Sequence, residues 1–70
     1  MRYAVAIERA ERNYSAYAPD FPGCVATGQT LKEIETQIQE AIQLHLHGMR
    51  EGGFPIPEPS SQVEYIEVAA

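Results

Sequence analysis

Residues 14–34, YSAYAPDFPGCVATGQTLKEI, constrain the fold more than any other part of this chain. Pro19 and Pro22 each lack a backbone donor, so Pro19-Asp20-Phe21-Pro22-Gly23 cannot continue a central strand and must form a loop. Pro22-Gly23 suits the central positions of a type II turn, where glycine supplies the positive φ that other residues resist. Residues 14–18 before the loop alternate as a strand, and residues 24–27 after it read as another. Gly28-Gln29 then leads into Thr30-Leu31-Lys32-Glu33, a capping box in which the Thr30 hydroxyl accepts the Glu33 amide and the Glu33 carboxylate returns to the Thr30 amide.

Beyond that cap, Leu31, Ile34, Ile38, Ala41, Ile42, His45 and Met49 recur at steps of three and four, which places one apolar stripe on a helix of about 20 residues. Gly52-Gly53 supplies the left-handed residue that ends it, and Pro55 prevents its resumption. Upstream, Tyr3, Val5 and Ile7 alternate with Arg2, Ala4, Ala6 and Glu8, the period of two of a strand over residues 3–8 with one buried face. A polar turn at residues 10–13 joins it to the next strand as a hairpin. Pro55, Pro57 and Pro59 stiffen an extended connector that reaches about 3.1 Å per residue, and residues 63–68, rich in β-branched and aromatic types, read as a final strand.

The predicted fold class is therefore α+β: a single β-β-β-α-β domain over residues 1–70. An antiparallel meander followed by a right-handed crossover places the last strand parallel beside the first, giving a four-stranded mixed sheet of order 3-2-1-4 with the helix on one face. No second helix covers the other face, which carries Ala4, Ala6 and some of the tyrosines and is a candidate contact surface.

Seventy residues hide only about 60% of the surface that the unfolded chain exposes, and the single Cys24 permits no disulfide within the chain. Self-association is the expected compensation, as a dimer or tetramer. The apolar run at the start is too short for a signal-peptide core and no segment approaches a bilayer span, so a cytoplasmic protein is expected. Ten acidic against five basic residues give a net charge of -5. That balance repels phosphate backbones, argues against direct nucleic-acid binding, and steers basic partners.

Side-chain chemistry does not assemble into a catalytic or metal constellation. His45 and His47 are two apart on a helix, so they cannot share an ion as an i, i+4 pair can. His45 is expected to border the core and His47 to face solvent. Cys24 has no adjacent base to hold a thiolate and reads as buried and inert. Among the acids, Glu8, Asp20, Glu40, Glu64 and Glu67, no pattern selects three that must converge on metal ions. Asp20 is expected to accept backbone donors within its own loop as an Asx-type turn, with Phe21 anchoring that loop in the core. No catalytic, cofactor or metal residues are assigned. The candidate partner-binding residues are Tyr14, Tyr17, Asp20, Phe21 and Tyr65, because tyrosine offers large contact area at low entropy cost.

The run YSAYAPDFPGCVATGQTLKEIETQIQEAI followed by FPIPEPS resembles the N-terminal domain of HicB-type antitoxins and related HicB-like proteins. Its selective parts are the Asp20-Phe21-Pro22-Gly23-Cys24 turn, the helix entry at residues 28–31 and the Pro55-Ile56-Pro57 connector. The resemblance implies a degenerate RNase H-like domain without established nuclease activity, which self-associates and blocks a small basic RNA-cleaving toxin, HicA, by binding it. In many members a DNA-binding domain follows and represses the operon. The match spans nearly all of these 70 residues, so the expectation is the N-terminal domain alone, without operon repression by this chain alone. The alternatives from other classes are a metal-dependent nuclease acting through Glu8, Asp20 and Glu64, and an orphan protein-binding module.

Overall fold

The structure, a computed structural model, describes residues 1–69. Three strands and one helix follow in chain order: β1 (Ala6–Arg9), β2 (Tyr14–Tyr17), β3 (Val25–Gly28) and α1 (Leu31–Glu51). The strands form an antiparallel meander of order β1-β2-β3. Direct Cα partners share a face of the sheet. Ile7, Ala16 and Ala26 therefore lie on one face, toward α1, and Ala6, Tyr17 and Val25 on the other.

β1 is shorter at its start than the alternation of residues 3–8 implies. Its partner is the reason: β2 ends at Tyr17, opposite Ala6, and the loop that follows turns the chain away. Tyr3 and Val5 have no strand opposite them, yet they pack against the core with their side chains as the period of two requires.

The loop between β2 and β3 is a chain of tight turns. Phe21 N–H donates to Ala18 C=O at 3.0 Å, Cys24 N–H donates to Phe21 C=O at 3.0 Å, and Ala18 N–H donates to Cys24 C=O at 3.2 Å. Gly23 at φ 80 supplies the left-handed residue of the second turn, as a Pro-Gly type II turn demands. These bonds hold Phe21 inward at 1% exposure, with its ring edge-on to Tyr3 (centroids 4.6 Å apart) and to His45 (5.6 Å).

At the start of α1 the Thr30 hydroxyl accepts the Glu33 amide at 3.0 Å. The reciprocal bond of the capping box, from Thr30 N–H to the Glu33 carboxylate, is not made. The helix end is a Schellman motif: Phe54 N–H donates to Met49 C=O at 2.8 Å and Gly53 N–H to Arg50 C=O at 3.2 Å, with Gly53 at φ 73. Gly28 sets how closely β3 meets the helix, because a Cβ there would stand 2.9 Å from the Ile34 backbone nitrogen.

The buried core is Ala16, Ala18, Phe21, Cys24, Ile34 and Ile38. Ala41, Ile42, Leu46 and Met49 pack partly against it, while Leu31, counted in the apolar stripe, is 52% exposed.

The fourth strand is the chief correction. Among the described residues the sheet has three strands, and residues 63–68 pair with none of them. The connector brings the chain to the end of the sheet rather than along β1. There the Tyr3 hydroxyl donates to Pro57 C=O at 2.6 Å and the Asp20 carboxylate takes hold of Ser60 and Ser61. Past this point the chain is solvent-exposed, with Tyr65 at 95% and Ile66 at 77%.

Candidate protein-binding surfaces

The register assigns Ala6 and Glu8 of β1, Ser15 and Tyr17 of β2, and Val25 and Thr27 of β3 to the sheet face turned away from α1. No element of residues 1–69 covers it. Tyr17 is 45% and Val25 67% exposed, and both border a shallow hollow with Glu8, Ser15 and Thr27. The face thus presents an aromatic ring, a branched aliphatic and a carboxylate within one patch that a protein partner could contact.

The residues named from sequence are spread over different surroundings. Tyr17 is on the open face. Tyr14 lies opposite Arg9 and Gly28 on the helix side and packs against the core, half-buried. Phe21 is interior and presents no side-chain surface to a partner. Tyr65 stands in the unpaired C-terminal segment. The structure therefore does not gather the five into one site.

Asp20 makes a different set of contacts from an Asx turn. In its own loop the Phe21 and Cys24 amides are bonded to loop carbonyls rather than to its carboxylate. Its carboxylate instead accepts the Ser60 hydroxyl at 2.9 Å, the Ser61 hydroxyl at 2.8 Å and the Ser60 amide at 3.2 Å. Donors aimed at the ionised form favour it, so these serines hold the Asp20 carboxyl below its ordinary range, the Ser61 hydroxyl contributing most.

The chemistry-bearing side chains stay apart. Glu8 is on the open sheet face, Asp20 in its loop, and Glu64 in the C-terminal segment, where it accepts from Gln62 at 2.7 Å. Among the described residues no three His, Cys, Asp or Glu side chains stand close enough to hold a metal ion. Cys24 is buried, and burial pushes its thiol pKa up, so the neutral thiol is the form present at neutral pH. His45 lies against Phe21, while His47 is exposed beside Glu51 at 3.7 Å. No helix among the described residues is long and apolar enough to cross a membrane.

Two features escaped the sequence reading. One is a groove of about 520 Å³ between the start of the chain, β1 and α1, lined by Tyr3, Val5, Ile7, Ile38, Ile42 and Leu46. The other is a charge asymmetry: no basic residue follows Arg50, whereas Glu51, Glu58, Glu64 and Glu67 do. The second was legible in the order of charges and the first was not, because it exists only through the empty place beside β1.

The comparisons give the family. The model of the HicB-like antitoxin of bacterial toxin-antitoxin systems matches residues 3–69, and the chain belongs to that family. It is 36% identical over 66 residues to an uncharacterized 14.9 kDa protein of the rep-hol intergenic region of Haemophilus phage HP1, covering 94% of this chain and 50% of the phage protein. It thus spans half the length of that relative. A UPF0150 protein of Archaeoglobus fulgidus is 36% identical over 47 residues, covering 66% of this chain and 68% of that protein. Among solved structures, a chain of a HicA3 and HicB3 toxin-antitoxin complex superposes with a TM-score of 0.72 at 30% identity, over 86% of this chain and 70% of that one.

Proposed function

We propose that this chain is a non-enzymatic antitoxin domain that binds a small basic HicA-type RNA-cleaving toxin and neutralises it by occlusion. The observation that carries this reading is the family match over residues 3–69, supported by the likeness to a chain of a HicA3 and HicB3 complex. The physical properties of the chain suit the role. A net charge of -5 accelerates encounter with a basic partner, and electrostatic complementarity of this kind contributes more to on-rate and specificity than to raw affinity.

In this reading the open sheet face is the docking surface. Tyr17 and Val25 supply apolar contact, and Glu8 supplies the charge that a cationic partner meets. Residues 1–70 then act as one HicB-like domain in the cytoplasm, needing no cofactor. Occlusion requires no bond to be broken by this chain, which fits acids that do not converge.

The test takes the product of the adjacent reading frame as the candidate toxin and reads binding and relief of RNA cleavage. A complex that suppresses cleavage is expected, with Tyr17→Ala weakening it about tenfold at unchanged melting temperature, the order of a central aromatic contact. No complex with that neighbour, or a complex that leaves cleavage untouched, removes the proposal. Cleavage of RNA by this chain itself with magnesium or manganese would replace it with a nuclease.

A further inference from the structure

The surface of this molecule is too large for its mass. Its accessible area is 5765 Å² at 7.8 kDa, about a third more than the roughly 4,400 Å² that a compact monomer of that mass exposes. The radius of gyration is 13.7 Å, against about 11 Å for a compact domain of this length. The excess, roughly 1,400 Å², falls within the range that one chain contributes to an obligate dimer.

Exposed apolar side chains occur around the molecule, Val25, Leu44 and Phe54 among them, but two apolar regions are complementary. The first is the segment after the Asp20 clamp, where Val63, Tyr65, Ile66 and Val68 are 50%, 95%, 77% and 74% exposed. In a strand Val63 and Tyr65 would face one way and Ile66 and Val68 the other, and a strand apolar on both faces is one buried on both. The second is the groove beside β1, an open edge next to an apolar wall, and an unprotected edge of this kind is a template for a further strand.

Charge points to the same pairing. The segment carries Glu64 and Glu67 and no base, whereas Arg50 lines the groove, Arg2 precedes the strand that forms its edge and Arg9 ends that strand. Glu35 also lines the groove, so the match is partial.

The connector decides whose segment fills the groove. Pro55, Pro57 and Pro59 resist a tight reversal, and the Tyr3 and Asp20 bonds fix the connector at the end of the sheet. A short stiff hinge of this kind favours exchange between chains over return within one.

We infer that residues 62–69 of one copy add as a strand to β1 of a second copy, filling the groove between β1 and α1, and that the exchange is reciprocal. The apolar walls of both grooves are then covered by Ile66 and its neighbours, and each sheet gains its fourth strand from the partner. Two-fold reciprocity closes the assembly at a dimer.

The experiment uses this chain alone, so its outcome is independent of the toxin-binding proposal. Light scattering at about 100 μM reads the mass, and isotope-filtered NOESY on a mixture of ¹³C-labelled and unlabelled chains reads which residues meet across copies. The expected result is a dimer with intermolecular NOEs from Ile66 and Val68 to Val5, Ile7 or Leu46. Ile66→Asp is expected to weaken dimerisation at least a hundredfold while the hairpin and helix signals persist. A monomer, a dimer unaffected by Ile66→Asp, intermolecular NOEs from other residues only, or a segment that orders only when a basic partner protein is added would each overturn the inference. The NOE measurement needs no variant, so it decides the matter even if Ile66→Asp fails to fold.

Discussion

The loop at residues 18–24 and the segment at residues 62–69 are both short runs without helix or strand, yet one is the centre of the molecule and the other is almost entirely in water. Phe21 in the loop is 1% exposed and Tyr65 in the segment is 95% exposed. Composition does not separate them, since the segment holds Val63, Tyr65, Ile66 and Val68. What separates them is where their partners are. The loop closes on itself through three backbone hydrogen bonds and meets Tyr3 and His45, all within the chain. The segment has the chemistry of a strand and no strand beside it. Burial therefore follows from available neighbours as much as from hydrophobicity, and in a domain this small one chain need not supply them all.

The strongest way to break the comparison is to remove the loop's anchor. Phe21→Ala deletes a ring held between Tyr3 and His45 in a core of six buried residues among those described. A buried phenylalanine truncated to alanine costs about 3–5 kcal/mol, which approaches the whole stability of a small domain. Urea unfolding is expected to show a midpoint shifted by most of its range, or a chain with no cooperative transition. A loss under about 1 kcal/mol would mean that the loop is not the centre of the core, and that the contrast with the C-terminal segment is one of exposure only.

Local features were readable from sequence because their causes are local. The Pro22-Gly23 turn, the Thr30 cap, the end of the helix at Gly52-Gly53 and the alternation of Tyr3, Val5 and Ile7 each depend on residues a few positions apart. Strand limits were less readable, since β1 starts where β2 provides a partner rather than where its own alternation starts. The fourth strand was illegible for the same reason in a stronger form: β-branched residues at 63–68 say that a strand can form, not which edge it meets. Asp20 shows the limit most directly, because its partners Ser60 and Ser61 lie forty and forty-one residues away. Of the candidate contact residues, the alternation of Tyr14 and Tyr17 could assign them only to strands. It took the register to place Tyr17 on the open face and Tyr14 on the helix side.

A milder change tests the loop's backbone rather than its anchor. Gly23 has φ 80 with nothing within 4 Å of where a Cβ would stand, so Gly23→Ala meets no clash and isolates the conformational cost. That cost is about 1–2 kcal/mol for an L-residue in the left-handed region. The expected result is a fully folded protein with a small drop in urea midpoint and an unchanged slope. A neutral result would mean that the turn relaxes freely, and that the loop's rigidity comes from Phe21 alone.

The smallest effect concerns the link between the loop and the residues that lead into the segment. Asp20 belongs to the loop and Ser60 and Ser61 immediately precede the exposed segment, so the carboxylate is the joint between an ordered part and an unpartnered one. Its pKa is lowered from the ordinary value of 3.8 by the serine hydroxyls, then by the serine amides. A group whose folded pKa is depressed stabilises the folded arrangement at pH above its unfolded value and loses that contribution as pH falls through the folded one. The joint should therefore hold unchanged from neutral pH down toward 3.8 and open only below it. Amide shifts of Ser60 and Ser61, followed by ¹⁵N NMR, are expected to be flat across the upper range and to inflect below 3.8. In Asp20→Asn that inflection should vanish, with little change in melting temperature because the site is open to water. An inflection at or above 3.8 in the unaltered chain would mean that the serines do not hold the ionised carboxylate. The direction of the segment, and with it the delivery of residues 62–69 to a second copy, would then rest on the prolines and on Tyr3 alone.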